Sequence, residues 1–134
     1  MISTELATRL RDAGLVWRPA DGDRFRIDAP DLSADVFTVS TMTIEAHDYP
    51  TGTVLGFNGT TEWALDSVAI EDALWLPRED QLRDLLRSTF RGLRRTPDGF
   101  EVEVDLLGER RSFAADDAAE AYGRALLALV ERST

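Results

Sequence analysis

Glu45, His47 and Glu62 are the residues whose types and spacing come nearest to acid–base chemistry in this chain. Met42, Ile44 and Ala46 alternate with Thr43, Glu45 and His47, the period of a half-buried strand. Residues 53–57 and 60–65 flank Asn58-Gly59, the strongest short hairpin signal, a type I′ turn. A two-residue loop there sets Phe57 opposite Thr60, Leu55 opposite Glu62 and Val54 opposite Trp63. A turn at Pro50 sets Ala46 opposite Val54 and Glu45 opposite Leu55. One face then carries Ile44, Ala46, Val54, Gly56, Trp63 and Leu65 as core, with Gly56 making room for the indole. The other carries Thr43, Glu45, His47, Thr53, Leu55, Phe57, Thr60 and Glu62.

On that second face two carboxylates lie two strands apart, roughly 9–10 Å at the ~4.8 Å strand spacing. This is near the upper limit for an acid and a base flanking a water, and suits a small hydrolase or lyase. Glu45, His47 and Asp48 also gather oxygen and nitrogen ligands. The plainer reading of the same face is a solvated sheet surface. Leu55 and Phe57, rimmed by Thr43 and Thr60, then form a protein contact.

Arg87, Arg91, Arg94 and Arg95, with Arg83, cluster around the end of a middle helix and suit a phosphate or carboxylate. The competing role is to complement the helix C-terminus and pair with Asp80 and Asp84. Trp17, Trp63 and Trp75 have apolar neighbours and read as core.

Several chemistries are excluded by residue type. The 134 residues contain no cysteine, one histidine and 15 basic residues, all arginine. Without lysine there is no Walker-A or Schiff-base lysine. Without cysteine there is no disulfide, thiolate nucleophile or cysteine zinc site. No metal and no cofactor is expected. A net charge of −10 disfavours nucleic acid and anionic membranes, while permitting a basic protein partner. The N-terminal stretch is interrupted by Glu5, Arg9, Arg11 and Asp12, which does not suit a signal peptide, so a cytoplasmic location is expected.

The elements that must position these residues follow from periodicity. Ser3 or Thr4 caps a helix to Ala13, with Gly14 as its left-handed stop. Residues 24–28 and 36–40 read as short strands. A second helix spans 77–90 on the stripe Leu82, Leu85, Leu86 and Phe90. Residues 100–106 alternate as a half-exposed strand, and Gly108 turns it into 110–113. Asp116 or Asp117 caps a last helix to Arg132. Hairpins dominate, predicting one α+β domain over 1–134: an antiparallel sheet of about five to seven strands with three helices mainly on one face.

Two stretches, 56–67 (GFNGTTEWALDS) and 73–82 (ALWLPREDQL), resemble a family of short uncharacterised actinobacterial proteins often labelled as pilus assembly proteins. The tail from Trp75 is also similar to small phage-derived α/β sandwich proteins. The first resemblance implies a pilus-associated accessory role and carries no functional residues with it. The reading that follows is a non-catalytic interaction or accessory protein with a protein partner or a homodimeric state. The alternatives are the hydrolase or lyase above and an acidic inhibitor or immunity-type protein for a basic partner.

Overall fold

The computed structural model describes residues 1–28, 35–39, 44–49, 52–57, 67–69 and 72–133, the strands between residues 44 and 69 by backbone pairing. Helix α1 (Thr4–Ala13) starts where the Ser3 hydroxyl accepts the Leu6 N–H at 3.2 Å. It stops at Gly14, whose φ of 117° only glycine adopts without strain. Leu6, Ala7 and Leu10 form its buried stripe.

Helix α2 (Glu79–Leu86) is shorter than the expected 77–90. Arg87 leaves the helical path at φ 51°, a 3-10 turn follows at Arg87–Thr89, and Phe90 already begins a strand. Helix α3 (Ala118–Arg132) runs as expected from Asp117, whose carboxylate accepts the Ala119 N–H at 2.8 Å.

Nine strands are assigned among the described residues: β1 (Arg24–Ile27), β2 (Phe37–Thr38), β3 (Ile44–Tyr49), β4 (Gly52–Phe57), β5 (Ser67–Ala69), β6 (Ala73–Leu76), β7 (Phe90–Thr96), β8 (Gly99–Leu106) and β9 (Glu109–Ala115). The fold is α+β, with three α-helices among the described residues. The single sheet of five to seven strands is corrected: the strands form three antiparallel three-stranded sheets, ordered β2-β1-β6, β3-β4-β5 and β7-β8-β9. The division follows from which strands find a neighbour nearby in sequence and which do not. β7, β8 and β9 are joined by short turns and pair in chain order, while β1 takes the distant β6 as its second neighbour.

The chain sorts into two compact units, one made of Met1–Val16 and Pro77–Thr134, the other of Trp17–Leu76. In the first, α3 packs on α1, α2, β8 and β9. Val102, Val104 and Leu106 are buried beside Tyr122, Ala125 and Leu126, while Glu101, Glu103 and Asp105 alternate onto the other face. Each fully buried aliphatic side chain stabilises by about 1.5–3 kcal/mol relative to exposure. Gly123 is where α1 crosses α3 closely: a Cβ there would sit 2.6 Å from Leu6 Cδ2.

In the second unit, Phe25, Ile27, Val39 and Ala73 form a buried cluster, with Trp17 and Phe37 packed against it. Phe25 and Ile27 point inward as their alternation requires. Asp23 is 3% exposed and accepts from Trp17 Nε1 and from the Ala20 N–H, both at 3.0 Å, which closes the turn carrying Gly22.

Candidate interaction site

The strand pairing decides what becomes of the Glu45, His47 and Glu62 face. β3 and β4 pair with Ile44 opposite Phe57, Glu45 opposite Gly56, Ala46 opposite Leu55 and His47 opposite Val54. This differs by one residue from the expected register, and a one-residue slip exchanges the two faces of a strand. Leu55 and Phe57 therefore belong to the same alternation set as Ala46 and Ile44, separate from Glu45 and His47.

The second edge of β4 is taken by β5, with Leu55 opposite Val68 and Gly56 opposite Ser67. The partner that Leu55 finds on this edge is thus Val68 rather than the expected Glu62, while the expected Asn58-Gly59 turn lies outside the described residues. Thr43, Thr60, Glu62 and Trp63 themselves lie outside the described residues.

The arginine cluster is dispersed. Arg87 caps α2, but Arg91, Arg94 and Arg95 lie on β7 rather than on a helix. Arg94 reaches Glu101 at 2.6 Å on the face away from α3, and Arg91 lies 3.8 Å from Asp105. Arg95 alternates to the opposite side, with its guanidinium 5.9 Å from the Phe100 ring. Arg94 and Arg95 therefore leave β7 on opposite faces and do not share a site. Among the described residues no group of three His, Cys, Asp or Glu side chains is placed to hold a metal.

What the sequence reading missed is the surface of the β7-β8-β9 sheet. Its outer face carries Arg94–Glu101 and Arg110–Glu103 pairs at 2.6 and 2.7 Å. Gly92 leaves a shallow open groove of about 160 Å³ beside Leu93, Arg94, Glu101 and Glu103. Exposed pairs of this kind add little stability, roughly 0–1 kcal/mol each. Their effect is to keep the face polar.

The edge at β9 has a different character. Leu107 and Gly108 take φ values of 55° and 81° between the paired residues Leu106 and Glu109. Two residues at positive φ make a type I′ turn, whose flanking pair exchanges both hydrogen bonds. Pairing alternates from there, so the backbone N–H and C=O of Arg110, Ser112 and Ala114 point away from β8. The Ala114 carbonyl accordingly accepts from the Arg124 guanidinium instead of from β8. No strand covers this side of β9 among the described residues, and Arg110, Ser112 and Ala114 are exposed. The signals were present in sequence: Pro97-Asp98-Gly99 marks the turn that creates β7, and Leu107-Gly108 the turn that creates the edge.

Three other groups bear on chemistry. Burial raises the Tyr122 phenol above its ordinary range, and the nearby Arg83 partly opposes this. A hydrogen bond from the N-terminal ammonium holds the Asp117 carboxyl below its ordinary range. Trp17 and Trp75 stack with centroids 6.4 Å apart, and Trp75 Nε1 is buried without a hydrogen-bond partner among the described residues. No protein-family model, curated protein or solved structure matches the chain. Among the described residues no helix is long and apolar enough to cross a membrane.

Proposed function

We propose that this protein is a non-catalytic interaction or accessory protein that engages other polypeptide through the β9 edge. The observation that carries this reading is the outward backbone of Arg110, Ser112 and Ala114 on a seven-residue strand. Such an edge adds a strand from a partner: main-chain hydrogen bonds supply affinity and alternate side chains supply selectivity. The α3 helix holds the strand in place from behind, so the edge is pre-organised and association orders little else. A role beside other protein chains agrees with the pilus-assembly label of the family that residues 56–67 and 73–82 resemble.

The test is affinity capture from the source organism with the intact chain and with Ser112→Pro. Proline removes the outward N–H of an edge strand and leaves the β8 pairing alone. Proteins held by the wild type and lost with the variant support the reading. A bound set that is the same for both refutes it.

A further inference from the structure

The geometry points to a second copy of this chain as a partner for β9, joined antiparallel about a two-fold axis at Ser112. This deepens the proposed function and rests on its reading of the edge.

The register about that axis is self-complementary. Ser112 faces Ser112, Arg110 faces Ala114, Arg111 faces Phe113, and Glu109 faces Ala115 of the second copy. No like charges oppose, and the hydrogen-bonded positions are those whose backbone groups already point outward. Within one chain the Arg111 guanidinium already lies 5.1 Å from the Phe113 ring. The pairing offers each arginine a second ring across the axis. Pairing also exchanges the Arg124 guanidinium on the Ala114 carbonyl for the Arg110 N–H of the second copy.

The other edge does not offer this. A two-fold at Leu93 sets Arg91 opposite Arg95, and one at Arg94 sets that arginine against itself. Like charges directly opposite protect β7 from self-pairing.

Two further features fit the same axis. α3 packs on both β8 and β9, so its axis lies between them. Continuing the sheet at the ~4.8 Å strand spacing sets the two α3 helices about 10 Å apart, the distance at which helices pack. Leu107 is 90% exposed and holds a positive φ, an unfavourable state for a leucine. The register brings position 107 level with position 117 of the second copy. There the Met1 ammonium sits on Asp117 at 2.6 Å, and the Met1 residue is 54% exposed. Two apolar residues left in solvent by one chain are thereby brought together.

The test uses the absence of native cysteine. S112C and A114C are made in the full chain and oxidised under mild conditions. A hydrogen-bonded antiparallel pair has Cα atoms about 5.5 Å apart, within disulfide reach. S112C should cross-link to a dimer, whereas A114C, about 14 Å from its own copy in this register, should stay monomeric. Sedimentation equilibrium of the wild type should show a reversible dimer that S112P weakens by more than about tenfold. Leu107→Asn should weaken association several-fold while raising the melting temperature of the monomer. Wild type that is monomeric throughout, S112C that cross-links no faster than A114C, or a dimer indifferent to S112P overturns the proposal. A monomer whose other captured partners are still lost with S112P overturns the self-pairing alone and leaves the edge-binding function standing.

Discussion

Replacing Gly123 by alanine tests how tightly α1 lies across α3. In an open helix interior this change stabilises by roughly 1 kcal/mol, because alanine gives up less backbone entropy. Here the new Cβ would stand 2.6 Å from Leu6 Cδ2 and 3.1 Å from Ile2 Cδ1. Carbon atoms at rest are about 3.5–4.0 Å apart, so the Leu6 methyl must retreat by about 1 Å or more. Leu6 is 5% exposed and Ile2 3%, which leaves little room for either to turn into solvent. Overpacking of this sort costs about 1–3 kcal/mol, so G123A should be neutral to destabilising by about 2 kcal/mol net. In a Leu6→Ala background the nearer methyl is gone and only Ile2 Cδ1 stays close, so the same change should be neutral to stabilising by up to about 1 kcal/mol. The measurement is a double-mutant cycle by urea unfolding, read as midpoint shifts at constant slope. The expected coupling between the sites is about 1–3 kcal/mol. Equal stabilisation by G123A in both backgrounds would falsify the close crossing.

The other expectations are briefer. Leu107→Asn places a residue tolerant of positive φ in the type I′ turn, and should raise stability by about 0.5–1 kcal/mol in thermal unfolding. Asp117 is lowered chiefly by its hydrogen bond to the N-terminal ammonium. Its stabilisation is therefore fully present above the unfolded value of about 3.9 and fades as pH falls through the lower folded value. Asp117→Asn retains the cap and should flatten the stability–pH curve in that acid window. Trp17→Phe takes one hydrogen-bond donor from the buried Asp23 carboxylate and should cost about 1–3 kcal/mol, seen as a lower urea midpoint.

The helices were legible where caps and stripes coincide. Ser3 with Gly14 bounds α1, and Asp117 opens α3, because an N-cap oxygen and a left-handed glycine are local devices. β8 was legible because Val102, Val104 and Leu106 alternate with acids across a half-buried face. β7 was not. Phe90 continues the apolar stripe of α2, and Arg94 and Arg95 tell nothing of strand or helix. The segment becomes a strand through its pairing with β8, which is a tertiary fact. The β3-β4 register escaped for a related reason. Ala46, Leu55 and Gly56 read plausibly in either phase, and a weakly apolar strand specifies its partner weakly. The candidate site inherited that error, since one residue of slip moves Leu55 and Phe57 away from Glu45 and His47.

The hydrogen bonds from Ser3 to Glu120 span 117 residues, and α1 reaches its buried place only against α3. During synthesis α1 leaves the ribosome well before α3. Until α3 emerges, Leu6 and Leu10 lack the helix that covers them, and the compact unit of Trp17–Leu76 is made in between. Closing a loop of that length is entropically expensive, though slowly so with each added residue, and prior folding of the intervening unit shortens the effective chain. Until the final turn of α3 emerges, the nascent protein thus carries a helix whose apolar stripe is uncovered, a natural substrate for a ribosome-associated chaperone.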